Sequence, residues 1–234
     1  MVEHFDWVLF DADDTLFHFD ALAGLQSLFG HYGVDFTAED YATYQSLNKP
    51  LWVAYQQGNI DAATLQHQRF TGWAEKLNLS TAELNERYLQ TMAEVCKPLA
   101  GAQALLTQLS GRVKLGIITN GFTALQQRRL IHNGWQDTFD LLVISEQVGY
   151  AKPHPEIFEY ALEKMGRPEP DRVLMVGDNP DTDIAGAQQA GMRSCWLDHG
   201  TADAVFNTPP THKVTTLSQL NEWLFPLNSY CCKV

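Results

Sequence analysis

The sequence predicts an α/β protein with a doubly wound core on a parallel sheet and a helical cap domain inserted near its start. Three observations carry this. Short β-branched apolar runs recur beyond residue 112, each followed by a helical pattern. Between Leu16 and Arg112 no strand pattern appears, and that interval reads as successive helices. The opening run FDWVLF (5–10) supplies a further strand ahead of the interval. A length of 234 residues suits one enlarged domain or a core with an insertion. Apolar residues at 45% and charged residues at 19% are globular proportions.

Each element follows from its local pattern. After FDWVLF come ALAGLQSLFGHYG, AEDYATYQSLNKPLWVAYQQG, DAATLQHQRFTGWAEKLN and TAELNERYLQTMAEV, with apolar residues at three- and four-residue spacing. Gly33, Gly58-Asn59 and the capping pattern Ser80-Thr81-Ala82-Glu83 separate these helices. A structureless loop of this size does not fit inside a compact domain, so the interval is expected to be a helical insertion. It enters near Phe17–Asp20 and leaves near Lys97-Pro98, giving a core of 1–16 and 99–234 and a cap of 17–98. The strands VKLGII (113–118), LLVI (141–144), RVLMV (172–176), RSCWL (193–197) and KVTT (213–216) then alternate with AQALLTQL, TALQQRRLIHN, PEIFEYALEKMG and DTDIAGAQQAGM. Such alternation implies right-handed crossovers and a parallel sheet covered on both faces.

Sixteen Lys plus Arg against 28 Asp plus Glu leave a net charge of −12. That field repels nucleic-acid backbones and anionic lipid, so neither a nucleic-acid polymer nor a membrane is an expected partner. A small anionic substrate stays open, because a local site can override the global field. The first 25 residues lack the basic start and apolar run of a signal peptide, and no run reaches membrane-helix length. Cys96, Cys195, Cys231 and Cys232 form neither a disulfide framework nor a zinc spacing, which fits a reducing cytoplasm. The terminal CCKV departs from a prenylation box at Lys233 and reads as a frayed tail.

Ligands of open α/β sheets bind beyond the carboxyl ends of the strands, and four such ends here carry polar groups. Asp11-Ala12-Asp13-Asp14-Thr15 follows WVLF directly. Residues i and i+2 leave a strand on one side, so Asp11 and Asp13 can face one pocket, where two carboxylates need a cation or a proton between them. A polar turn in which Asp14 or Thr15 caps a helix is the plainer alternative. Ile118-Thr119-Asn120-Gly121 precedes a helix whose first N–H groups suit a phosphate, or an ordinary cap. In Gly149-Tyr150-Ala151-Lys152-Pro153-His154-Pro155 the prolines hold Lys152 still, a solvated lysine being the alternative. Val176-Gly177-Asp178-Asn179-Pro180-Asp181-Thr182-Asp183 puts three carboxylates in six residues, oxygen donors of the kind Mg²⁺ takes, with helix capping by Asp181 or Asp183 as the alternative.

The order DADDT, IITNG, AKPHPEIF and VGDNPDTD resembles the D-x-D-x-T, strand-Thr, Lys-Pro and G-D-x-x-x-x-D motifs of the haloacid dehalogenase (HAD) superfamily, over essentially the whole chain and cap included. FDADDTLF, LNKPLW, TNGFTALQQ and LLVISEQVG further resemble the bacterial pyrimidine 5′-nucleotidases of that superfamily. The resemblance implies a Rossmann-like core and Mg²⁺-dependent hydrolysis of pyrimidine nucleoside monophosphates, with Mn²⁺ as a substitute ion. Asp11 is then the nucleophile, forming an aspartyl-phosphate, and Asp13 the acid/base. Mg²⁺ is held by Asp11, the backbone carbonyl of Asp13 and Asp178. Thr119 and the Asn120 N–H bind phosphoryl oxygens, Lys152 steadies Asp11, and Asp183, or alternatively Asp181, supports the metal and the lysine.

Asp14 stands where many of those relatives carry Gly, which puts nothing essential in doubt. Asp13 matters more: haloacid dehalogenases lack this second acid, having no ester oxygen to protonate, so its presence argues for a phosphatase. Phosphatases for other small esters, phosphomutases and a silent phosphate-binding module remain the alternatives. Phe17, His18 and Phe19 after the nucleophile loop, and Asn48, Lys49, Trp52 and Tyr55 on a cap segment, are the candidate specificity residues. Aromatic faces can stack a base there, or simply pack cap against core.

Overall fold

In the computed structural model the described residues are 1–200 and 205–226; Cys231, Cys232 and the CCKV tail lie outside them. The first strand, β1 (Trp7–Phe10), is buried along its whole length and pairs in parallel with a strand on either side. Its alternation sorts side chains between two cores. Val8 and Phe10 join one cluster, while Trp7 and Leu9 join another on the opposite face. A strand buried on both faces needs this uninterrupted apolar run, and each such side chain contributes roughly 1.5–3 kcal/mol by leaving water.

The helical insertion follows as α1 (Ala21–Gly30), α2 (Ala38–Gln56), α3 (Ala62–Gln68), α4 (Thr71–Leu77) and α5 (Thr81–Val95). Asp20, Thr37, Asp61 and Ser80 cap the starts of α1, α2, α3 and α5, Thr37 doing so in a reciprocal box with Asp40. One helix differs from expectation. The single helix expected over 61–78 breaks at Arg69 and Phe70, because Phe70 leaves the helical conformation to sit fully buried against Tyr44 and Tyr88. As expected over 38–58, α2 is one helix, running 19 residues straight through Pro50. The entering and leaving chains lie side by side: Phe17 bridges Pro98, His18 N–H donates to the Lys97 carbonyl (2.9 Å), and Leu99 N–H donates to that of Leu16 (2.8 Å).

Beyond them come α6 (Ala102–Leu109), β2 (Lys114–Thr119), α7 (Thr123–His132), β3 (Leu141–Ile144), α8 (Ser145–Val148), α9 (Pro155–Lys164), β4 (Val173–Gly177), α10 (Ala185–Gln189), β5 (Arg193–Leu197), β6 (His212–Val214) and α11 (Leu217–Leu224). Every pairing is parallel, in the order β3-β2-β1-β4-β5-β6. The helix expected over DTDIAGAQQAGM opens as a wide π-type turn at Pro180–Ile184 before α10, and the one-turn α8 follows β3 with no sequence pattern announcing it. The chain runs outward from β1 through β2 to β3, then returns to β4 on the other side. The crevice of a doubly wound sheet opens where the order reverses in this way, and here that point is the end of β1. No helix among the described residues is long and apolar enough to cross a membrane.

Candidate active site

Asp11 leaves β1 with its N–H still bonded to the Val176 carbonyl of β4 (2.8 Å), so the sheet itself sets where its carboxylate points. The ammonium of Lys152 meets three acceptors: Asp11 Oδ1 (2.5 Å), Asp183 Oδ1 (2.7 Å) and the Ile118 carbonyl (2.7 Å). Three donors and three acceptors leave this buried cation fully satisfied. Its loop is clasped by Asn120, whose side chain accepts from Lys152 N–H (2.7 Å) and donates to the Lys152 carbonyl (2.9 Å). Asp183 Oδ2 accepts from Asn179 N–H (3.1 Å), and Asp178 Oδ1 accepts from the buried Thr15 hydroxyl (3.4 Å). The Thr119 hydroxyl oxygen accepts from Gly121 N–H (3.0 Å) at the end of β2.

The electrostatics follow from crowding. Burial pushes the Asp11 carboxyl well up; Lys152 opposes this, while Asp183, Asp178 and Asp13 add to it. Asp178 is pushed up to about 7, by burial first and then by Asp183 and Asp14. For Lys152, burial alone would lower its affinity for the proton, but Asp11 and Asp183 more than reverse this and hold it as an ammonium. One lysine does not neutralise the carboxylates around it. Oxygens of Asp11, Asp178 and Asp183 all lie within 4.8 Å of one another. An all-oxygen set of two buried carboxylates and the half-buried Asp178, set against one another by like charge, suits a hard divalent cation such as Mg²⁺.

Above these groups a cavity of about 340 Å³ reaches from the strand ends to the inserted helices α2 and α5. Asp11, Asp13, Thr119, Asn120, Lys152, Asp178 and Asp183 line its floor, and Phe19, Asn48 and Trp52 its upper part. Four candidate specificity residues sit elsewhere. Phe17 is fully buried against Trp135 (5.0 Å) beneath the entry to the insertion, and His18 is solvent-exposed beside Asp14. Lys49 falls on the exposed face of α2. Tyr55 faces the core, where its hydroxyl bonds Ser145 Oγ (2.7 Å) and so ties α2 to α8. Helical periodicity accounts for Lys49, which is turned about 100° round α2 from Asn48. Tyr55 shares the Asn48–Trp52 face, its ring against Trp52 (5.9 Å), but sits a turn further along, where α8 rather than the cavity meets it. Asp14 takes a left-handed backbone (φ 55°), a conformation that glycine adopts without strain, and accepts from Phe19 N–H (3.0 Å).

Other lining residues carried no sequence signal beyond their helical periodicity. Tyr41, Tyr44 and Gln45 come from α2, and Tyr88 from α5. Arg69, 4% exposed, lies against the rings of Phe70, Tyr88 and Phe122 and donates to Asn85. Arg129 on α7, entirely buried, pairs with Asp13 Oδ1 (2.5 Å). The available signal was a polar residue in an apolar stripe: Gln126 and Arg129 occupy the buried face of α7 with Leu125 and Leu130.

Comparison with known proteins agrees with this architecture. The family model for haloacid dehalogenase-like hydrolases matches residues 5–191. The chain is 53% identical to the pyrimidine 5′-nucleotidase YjjG of Escherichia coli K12, over 94% of this chain and 97% of that one. It is 31% identical to the pyrimidine 5′-nucleotidase PynA of Streptococcus pneumoniae, over 94% and 95%. The crystal structure of the putative HAD-hydrolase YfnB of Bacillus subtilis superposes with a TM-score of 0.79 at 28% identity, covering 94% of this chain and 99% of that one. With its six parallel strands, helical insertion and acidic strand ends, the chain belongs to the haloacid dehalogenase-like hydrolases.

Proposed function

We propose that the chain is a Mg²⁺-dependent 5′-nucleotidase that cleaves pyrimidine nucleoside monophosphates (UMP, dUMP, dTMP) to nucleoside and phosphate through an aspartyl-phosphate on Asp11. One observation carries the chemistry: the Asp11 carboxylate, fixed at the end of β1, stands against a buried ammonium and beside two further carboxylates. Phosphoric monoester hydrolysis and the pyrimidine substrate are supported by similarity to two proteins named as pyrimidine 5′-nucleotidases. Asp11, Asp178 and the Asp13 carbonyl would hold Mg²⁺, or Mn²⁺ in its place, with Asp183 supporting them. The YfnB structure, which is bound to magnesium, is in keeping with that. When bound, the ion supplies the positive charge that lets a phosphate dianion approach carboxylates, each like-charge pair otherwise costing about 4 kcal/mol at ~4 Å in an effective dielectric near 20.

The residues divide the remaining work. Thr119 and the Asn120 N–H receive phosphoryl oxygens, and Lys152 holds Asp11 aligned while offsetting charge on the transferring group. An Asp11 oxygen attacks phosphorus as the P–O ester bond breaks, and the ester oxygen keeps the bonding pair and takes the proton of Asp13. Water then attacks the aspartyl-phosphate, giving its proton back to Asp13 and releasing phosphate and the Asp11 carboxylate. Residues 17–98 act as the cap that closes the cavity, where Phe19, Asn48 and Trp52 select the base. Closure of that cap excludes polymers, so the substrate is a free cytoplasmic small molecule, consistent with the net charge of −12.

Phosphate release from UMP, dUMP, dTMP, CMP, AMP, GMP, phosphoglycolate and hexose phosphates, with Mg²⁺ and with EDTA, tests the reading. Chelator-sensitive turnover favouring uracil and thymine nucleotides, absent in Asp11→Asn, is expected. A preference for phosphoglycolate or a hexose phosphate would overturn the substrate, and turnover surviving in Asp11→Asn would overturn the mechanism.

A further inference from the structure

Arg129 presents an unusual arrangement. Its guanidinium is wholly enclosed, whereas its carboxylate partner Asp13 is 29% exposed at the side chain and faces the cavity. A buried cation is costly unless it is paired, and among the described residues Asp13 is the only carboxylate within ion-pair distance of it. A leucine at this position of α7 would pack the core without that cost. Two of the other four donors of the guanidinium are committed to a single neighbour. Nε and Nη2 both bond Gln126 Oε1 (3.0 and 2.5 Å), so the fork is held in one orientation and Nη1 is aimed at Asp13 Oδ1.

The surroundings tie this cation to the rest of the site. Gln126, one turn earlier on α7, reaches the Thr119 hydroxyl with its amide nitrogen (3.5 Å). The guanidinium lies 4.4 Å from the centre of the Phe17 ring, and Phe17 bridges both to Asp13 and to Pro98, where the insertion enters and leaves. The second Asp13 oxygen lies on the Gly121 side: a Cβ built on Gly121 would stand 3.3 Å from Oδ2, close to the Thr119 hydroxyl (3.2 Å) and to the Gln126 amide nitrogen.

We propose that Arg129 is the positioning residue of the acid/base: by binding Asp13 Oδ1 it presents Oδ2 to the ester oxygen beside the phosphate-binding end of β2. The inference rests on the phosphatase reading above and adds to it the origin of proton-transfer geometry. As the ester P–O bond breaks, its electron pair passes to the ester oxygen, which takes the proton from Oδ2. The carboxylate so formed is the one Arg129 already holds. Arg129 touches neither substrate nor phosphorus in this scheme.

A positioned proton matters in proportion to how badly the leaving group needs it. A nucleoside leaves as a strongly basic alkoxide unless protonated, whereas p-nitrophenolate leaves readily without help. The test is therefore kcat and KM for Arg129→Met and Arg129→Lys on UMP and on p-nitrophenyl phosphate, with Mg²⁺ present throughout. General acid catalysis is worth about 10²–10⁴ in rate, and losing its alignment is expected to lower kcat on UMP by about 10–100-fold in Arg129→Met, with KM nearly unchanged. On p-nitrophenyl phosphate kcat should fall less than about threefold, and Arg129→Lys should show the same split in smaller measure. The lysine variant keeps the buried charge, and it decides the question if the methionine variant does not fold. Equal losses on both esters, or a loss confined to KM, would overturn the positioning role while leaving the phosphatase reading intact. A wild-type chain that hydrolyses neither ester would overturn both.

Discussion

Lys152 shows how a single side chain is bound up with the charge of the whole site. Its three contacts, to Asp11, Asp183 and the Ile118 carbonyl, make it the cation that keeps neighbouring carboxylates tolerable at the floor of the crevice. Removing one partner of a buried charge cluster is costly, about 3–5 kcal/mol, because the remaining charges stay buried. Lys152→Met, with its similar volume, is therefore expected to lower unfolding stability at neutral pH by about 3 kcal/mol and to abolish turnover. Urea unfolding without divalent ion checks the first and phosphate release the second; an unchanged unfolding midpoint would mean that the ammonium does not balance the cluster. Asp11, Thr119 and Asp178 were legible in sequence because they sit at strand ends, where a polar group directly after an apolar run faces the crevice of the sheet; α8 separates Lys152 from β3, and it was the flanking Pro153 and Pro155 that marked it. Arg129 and Gln126 were not, because inside a helix a polar residue on the apolar face does not disturb the period that identifies the helix, and Arg69 falls at a break between α3 and α4 that the period does not show. Phe17 misled for a related reason: proximity in sequence to the nucleophile says nothing about which side of the chain a ring takes.

At the scale of elements, strand ends do more than present ligands; they limit what fits beside them. Gly177 closes β4, and a Cβ built there would fall 2.3–2.5 Å from Asp183. Asp183 cannot withdraw, since Lys152 and the Asn179 N–H hold both its oxygens. Gly177→Ala is expected to cost about 1–3 kcal/mol by overpacking and to raise the Mg²⁺ concentration needed for half-maximal turnover. Gly72 in α4 is the control: nothing lies within 4 Å of its Cβ position, so Gly72→Ala should stabilise by about 1 kcal/mol through helix propensity. Thermal melts and Mg²⁺ titrations of the two variants compare these outcomes, and a neutral Gly177→Ala would show that Asp183 has room to move. The strands themselves were readable to within a residue or two, since a sheet covered on both faces demands continuous apolar runs. Helix boundaries in the insertion were less so, because Phe70 leaves its helix for a tertiary contact that spacing does not encode. The one-turn α8 is shorter than any period and left no trace.

The molecule as a whole is acidic, and its most crowded acids are at the point where the sheet order reverses. Proton and the proposed Mg²⁺ would therefore compete for one place. Asp178 is pushed up to about 7, by burial first and then by its acidic neighbours, from an ordinary value of 3.8. Because its affinity for the proton is higher folded than unfolded, protonation favours the folded chain. That contribution is full below about pH 4 and is lost as pH rises through 7 in the absence of divalent ion. Mg²⁺ needs the carboxylate ionised, so binding must release the proton. A single proton with a midpoint near 7 makes apparent Mg²⁺ affinity rise about tenfold between pH 6 and pH 8 and then level off. The stabilisation by the ion, about 2.7 kcal/mol at a hundredfold excess over Kd, should grow over the same interval. Calorimetric titration in two buffers of different ionisation enthalpy reads the released proton directly, and melts with and without Mg²⁺ read the stability. Asp178→Asn should remove most of the pH dependence along with most of the affinity. An affinity flat from pH 6 to pH 8 in the unsubstituted chain would mean that Asp178 is already ionised before the metal arrives, and that Lys152 alone suffices to hold the acids together.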